Sequence, residues 1–294
     1  SLTNGGDLTA AVKAAQDGDV IELGVGTYTL TDQGEYLLVD RAVTIRGLGE
    51  AADVVIKPDT TTGIHRLLCV SNENAVVENV TFTGCQMSTG KIPEDKDRDT
   101  ENTRRSPFLL RQGTLKGCRF VANSQIDYGT VSQSGGLITG CVFDQNKSYS
   151  DKSHGRGHGG ALYMTGGITS NCTFTANKTR VAGGGAFVRG GLFTDCVVMN
   201  NSVDRHTGSG LVVAGGTVER LLASGNSFSE SQWHGGAVSI WRGEVKNSVI
   251  RDNVTAKTVG GEPKTEMWCV LKAGPIFAGF KPGVTKEDVE RAVA

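Results

Sequence analysis

The chain has 294 residues, a net charge of −1, 41 glycines and only 6 prolines. So balanced a charge gives no basis for a nucleic-acid or anionic-membrane partner, and no apolar run approaches the roughly 18 residues of a membrane span. Glycine at about twice its usual share, with so little proline, points to turns built on unusual backbone angles.

The first element is "GDLTAAVKAAQDGDVIEL". Leu8, Ala11, Val12 and Ala15 fall at helical spacing, and Gly18 ends the pattern before a strand. Residues 1–19 read as an N-terminal helix capping the open end of a solenoid. The first residues do not form a charged-then-apolar leader, so any export signal is expected to have been removed or to lie outside this chain. Strand-like segments follow until residues 86–107, "QMSTGKIPEDKDRDTENTRRSP", which are dense in both signs of charge. That stretch reads as a solvated loop insertion, with a lid or partner-docking arm as the alternative.

From Gly113 one phrase, Gly-x-x-x-x-Cys-x-Phe-x-x-Asn, keeps returning. It ends at Asn123, Asn146 and Asn177, and in degraded form at Asn201, Asn226 and Asn253. A period near 25 with two or three short strands per turn predicts an all-β, single-stranded right-handed parallel β-helix over residues 20–260. About nine to ten rungs, roughly 4.8 Å apart, would make it about 45 Å long. Helical repeats do not fit, because glycine and β-branched residues dominate and no 3.6-residue stripe appears. Residues 261–294 read as a C-terminal cap or the start of a following segment, with Thr285 and Asp288 in capping-box spacing.

Each column of the repeat has an expected role. Cys118, Cys141, Cys172 and Cys196, continued by Leu221 and Ser248, form a small interior column of free thiols, with disulfides between rungs as the alternative. Cys and Phe sit two apart and share the inner face. The six asparagines are expected to stack as a hydrogen-bonded ladder at one corner, with Asn itself suited to the left-handed region. Counting from the glycine pair, Leu162, Phe187, Val212 and Val238, preceded by Val131 and Leu109, read as an inward column. Asp195 should face Arg220 on the next rung, and Glu219 should face Lys246.

The N-terminal "DLTAAVKAAQDGDVIELGVGTYTL", with "VTIRGLG" and "VVI", resembles the entry of the pectin-lyase-like right-handed parallel β-helix superfamily. From about Pro107 to Asn253, "GGAL", "GGAV", "FVAN", "FDQN" and "FTAN" resemble the repeats of chlamydial polymorphic membrane proteins and related bacterial surface solenoids. The resemblance implies a secreted or surface-displayed bacterial protein of adhesin type, a monomer or part of a larger surface protein. The superfamily also hosts polysaccharide lyases and glycoside hydrolases, so the fold alone does not fix an activity.

A lyase would need a base and a cation, commonly calcium, at the uronate carboxylate. The first-strand positions Ser132, Tyr163, Val188, Val213 and Ser239 supply no carboxylates, and the hydrolase signatures Asn-Thr-Asp, Asp-Asp and Arg-Ile-Lys do not occur. The loops between each Phe-x-x-Asn and the next glycine pair are richer. They carry His154, Arg156, His158, Arg180, Asp204, Arg205, His206, Glu230, Trp233 and His234. Arg and His engage carboxylates or sulfates, and Trp233 stacks on a sugar face. Expected ligand-binding residues are His154, Arg156, His158, Arg180, Arg205, His206, Trp233 and His234. Candidate catalytic residues are Tyr163, His158 and Arg180. No metal site is expected, because rung geometry separates His154, His158 and His206. The leading expectation is recognition of a polysaccharide or other surface macromolecule without a cofactor. The alternatives are a lyase on acidic glycans and a structural spacer.

Overall fold

A computed structural model describes residues 1–30, 36–59, 66–86, 106–149, 157–228 and 236–254. The charged insertion except its ends, the loop histidine His154 and the segment 261–294 lie outside these residues. The short helix Leu8–Ala14 comes first, and Asp7 caps it by accepting from the Ala10 N–H at 2.9 Å. Leu8, Val12 and Ala15 join the main core, while the Arg41 guanidinium donates to the carbonyls of Lys13 and Ala15 at the helix C-terminus. There a cation complements the helix dipole.

Everything else described is a parallel β-solenoid. Each turn contributes one strand to each of three ladders, and the rungs pair in register except for a local slip between the last two, around Ala214 and Arg242. The first ladder includes Phe108–Leu110, Val131–Gln133, Leu162–Met164 and Ala186–Val188. The second includes Thr114–Lys116, Leu137–Thr139, Ile168–Ser170 and Leu192–Thr194. The third has nine strands, from Gly26–Leu30 to Val249–Arg251. In the last two rungs the strands Leu211–Glu219 and Val238–Lys246 run through the corner and serve the first two ladders at once. A short fourth ladder follows the asparagine corner, through Ser124–Tyr128, Lys147–Tyr149, Lys178–Thr179, Ser202–Val203 and Ser227–Phe228.

The interior is built from stacked columns. Phe82, Phe120, Phe143 and Phe174 lie on successive rungs of the third ladder, with adjacent ring centroids 5.3, 5.1 and 4.6 Å apart. Cys118, Cys141, Cys172 and Cys196 share that face and remain free thiols. Burial pushes the Cys141 and Cys196 thiols up, so they pack as protonated small hydrophobes.

The asparagine ladder is present and complete. Each Asn donates its side-chain amide to the Oδ1 of the next, at 3.1, 2.9, 3.0, 3.0 and 2.9 Å from Asn123 through to Asn253. The same Oδ1 also accepts the preceding asparagine's backbone N–H. A second amide hydrogen reaches a carbonyl one rung back, as from Asn177 to Phe143 at 2.9 Å. The left-handed residue at this corner is the one before each Asn, such as Ala122 at φ 53° and Ala176 at φ 52°. The Asn amide is occupied by the ladder, so its neighbour makes the bend.

Two expectations about facing charges part ways. Arg220 does grip Asp195, at 2.7 and 2.9 Å, and holds its carboxyl down at about 2. Glu219 and Lys246 are rung partners, yet Arg220 also takes Glu219 at 2.8 Å and Lys246 turns to Glu244 at 2.7 Å. The shorter reach within one strand wins over the cross-rung pair.

The corner glycines are steric necessities. A side chain at Gly160 would run into the Gly184 carbonyl oxygen of the next rung, and Gly167 combines φ +82° with Gly135 backbone 2.6 Å from where a Cβ would sit.

Candidate functional site

The first ladder has an outer face, and its register differs from the count made on the glycines. The corner pairs are Gly159–Gly160, Gly183–Gly184 and Gly208–Ser209. The third glycine of "GGGAFV", Gly185, therefore occupies the place of Ala161. Leu162 then pairs with Ala186, Leu211 and Val238, and these point into the core. Phe187 and Val212 pair instead with Tyr163 and face outward, as does Ser132 one rung earlier, where Leu109 pairs with it. Val188 and Val213 pair with Met164 and belong to the core rather than to the outer column.

This outer column is not bare. Tyr163 and Phe187 are 2% and 3% exposed because Tyr128, Val181 and Ala182 close over them as a second, smaller apolar cluster. Tyr128 ends a strand of the fourth ladder, and His158 pairs beside it at the end of Gly157–His158. The Tyr128 ring lies 4.6 Å from Tyr163 and stacks on His158 at 5.9 Å. His158 meets the Phe187 ring edge-on at 4.7 Å. Burial pulls the His158 imidazole down to about 4, helped by the positive fields of Arg189 and His206, so it is neutral at neutral pH.

Beyond the cluster the surface opens into a groove of about 440 Å³. Arg189 and Arg242 line it alongside Tyr128, His158, Tyr163 and Phe187, and Ala214 and Trp241 complete it. Arg189 Nη1 donates to the Tyr163 hydroxyl at 3.0 Å. Trp241 is 53% exposed and touches Phe187 edge-on at 5.3 Å. A local slip in the pairing puts Arg242 opposite Ala214, so Trp241 stands between paired positions and swings out. Irregularities of this kind re-aim side chains at functional edges.

Neither a protein-family model nor a curated protein matches this chain.

Of the expected site residues, the loop residue His158 and the first-strand residue Tyr163 come together in this groove. Arg180, Arg205 and His206 lie on the neighbouring ridge, where Arg205 N–H donates to the Arg180 carbonyl at 2.8 Å. Asp204 pairs with Lys178 at 2.7 Å. His154, Arg156, Glu230, Trp233 and His234 fall outside the described residues. Among the described residues no group of three or more His, Cys, Asp or Glu side chains is placed to hold a metal ion.

Sequence reading missed Tyr128, Arg189, Ala214, Trp241 and Arg242, and gave Phe187 the wrong face. The signal was available in the residue ahead of each second corner. Ser134, Thr165, Arg189 and Ala214 occupy that place on successive rungs, and the slip then brings Arg242 opposite Ala214 with Trp241 just before it. The groove lies where this place turns large or charged. Chemically it offers aromatic surface, a neutral imidazole and two guanidinium groups that are not ion-paired among the described residues. That set suits a ligand with flat apolar faces and anionic groups.

Proposed function

We propose that this protein is an exported recognition solenoid of adhesin type that binds an acidic glycan in the aromatic and arginine-lined groove. The observation that carries this reading is the convergence of Trp241, Phe187, Arg189 and Arg242 on one open groove. A sugar ring presents an apolar face to Trp241, while its carboxylate or sulfate takes bidentate hydrogen bonds from Arg. The resemblance of the entry segment to pectin-lyase-like proteins, and of the repeats to polymorphic membrane proteins, supports a bacterial secreted or surface setting.

Calorimetric titration with acidic oligosaccharides tests the proposal. Saturable binding should weaken tenfold or more in Trp241→Ala and in Arg189→Ala. Tenfold corresponds to about 1.4 kcal/mol, near the worth of one charge-assisted hydrogen bond. Binding unaffected by both substitutions would remove the groove from the function.

The Arg189–Tyr163 hydrogen bond favours one second reading, a polysaccharide lyase. The guanidinium fixes the Tyr163 oxygen by its hydrogen bond, and that oxygen, as phenolate, takes the proton α to the uronate carboxylate. The glycosidic C–O bond then breaks with its electron pair leaving on the departing sugar's oxygen, which recovers the proton from Tyr163, and a ring double bond forms. Recognition is preferred because Tyr163 is 2% exposed while Trp241 is 53% exposed, so the ligand meets the binding surface far more readily than the base. No ultraviolet absorbance from unsaturated ends is expected. An absorbance rise lost in Tyr163→Phe would make this an enzyme.

A further inference from the structure

We infer that the groove selects a linear polysaccharide carrying its acidic group on every second sugar rather than on each one. This rests on the proposed glycan binding and narrows its ligand class. Arg189 and Ala214 follow the paired residues Val188 and Val213, and Arg242 faces Ala214 on the next rung. Thr165, after Met164, occupies the same place one rung before Arg189. Along the axis this corner therefore reads Thr165, Arg189, Ala214, Arg242, with a cation on alternate rungs.

The two guanidinium-bearing residues are two rungs apart, roughly 9.6 Å along the axis. A pyranose unit linked through opposite ends advances a chain by close to one rung height. A polymer lying along the axis thus places successive sugars on successive rungs, and every second one beside an arginine. A homopolymer of uronic acid that turns the same edge of each sugar to the protein would also set a carboxylate at Ala214, against Trp241 and the apolar cluster. That charge would lose water without gaining a partner, which is costly. An alternating polymer presents a neutral sugar there, whose apolar face suits the exposed indole.

The experiment titrates the protein at low salt with hyaluronan octasaccharide, one carboxylate per disaccharide, and with octagalacturonate, one per sugar. Hyaluronan should bind at least tenfold more tightly. Adding the missing cation should close the gap, so Ala214→Arg is expected to raise galacturonate affinity tenfold. Thr165→Arg makes the same change at an exposed position and keeps the test valid if Ala214→Arg folds poorly. Equal affinity for the two polymers, or a preference for galacturonate, with Arg189→Ala still weakening both, would overturn this inference and leave glycan binding standing. Binding of neither polymer would overturn both.

Discussion

The inner and outer faces of the first ladder follow different rules. Inward, Leu162 and Met164 are succeeded by Ala186 and Val188, then Leu211 and Val213, all of them apolar and fully buried. Outward, the column runs Ser132, Tyr163, Phe187, Val212 and Ser239, a mixture of small hydroxyl, aromatic and aliphatic side chains. An inner side chain is confined by its neighbours one rung above and below, so the column repeats. An outer side chain is confined only by what the loops lay over it. In a solenoid, regularity reports what holds the stack together, and departure from it reports where chemistry has been placed.

The sharpest way to break that contrast is to cut the regular part. Asn177→Ala removes the buried acceptor for Asn146 and leaves the Phe143 carbonyl and the Asn201 oxygen short of donors. A loss of about 3 kcal/mol or more is expected in urea unfolding. Trp241→Ala, on the irregular side, should stay within about 0.5 kcal/mol. Similar losses in the two variants would erase the distinction.

Acid should act on the outer cluster. The folded His158 lies below the ordinary histidine value, so the unfolded chain binds the extra proton between pH 6.5 and about 4. The stability that neutral His158 contributes is present above pH 6.5 and lost as pH falls towards 4, on the order of 2–3 kcal/mol. His158→Gln should flatten that part of the profile, measured as urea midpoints at pH 7 and pH 4.5. An unchanged slope would mean that His158 does not titrate in the window.

The smallest effect belongs to the surface charges. Arg220→Ala breaks the pairs with Asp195 and Glu219, both solvent-facing, and should cost less than about 1 kcal/mol. A larger loss would make the rim part of the scaffold.

The fold was legible because its determinants are repeated. Six asparagines, four cysteines and three phenylalanines in fixed relation disclose the period, the corner and the inner face. The candidate site was only partly legible. His158 and Tyr163 stood out by residue type, but an extra glycine, Gly185, shifted the count and hid Phe187 on the core side. Tyr128 and Trp241 are far apart in sequence and four rungs apart in the stack, and they join one groove only through Tyr163 and Phe187 between them. The left-handed residue before each Asn was also missed, since Gly, Ala, Gln, Asn and Asp all fill related places.

The asparagine ladder has one more consequence, for length. Each rung offers the one before it the same oxygen and the one after it the same pair of donors, across intervals of 23, 31, 24, 25 and 27 residues. All of that variation is absorbed outside the stack, between one asparagine and the next glycine pair. Nothing in the ladder counts rungs or specifies a stop. At the N-terminal end termination is supplied by the helix that brings Leu8 and Val12 over the first turn. Duplication of a whole turn would thus lengthen the protein without a new core having to be invented, whereas part of a turn could not be inserted there at all.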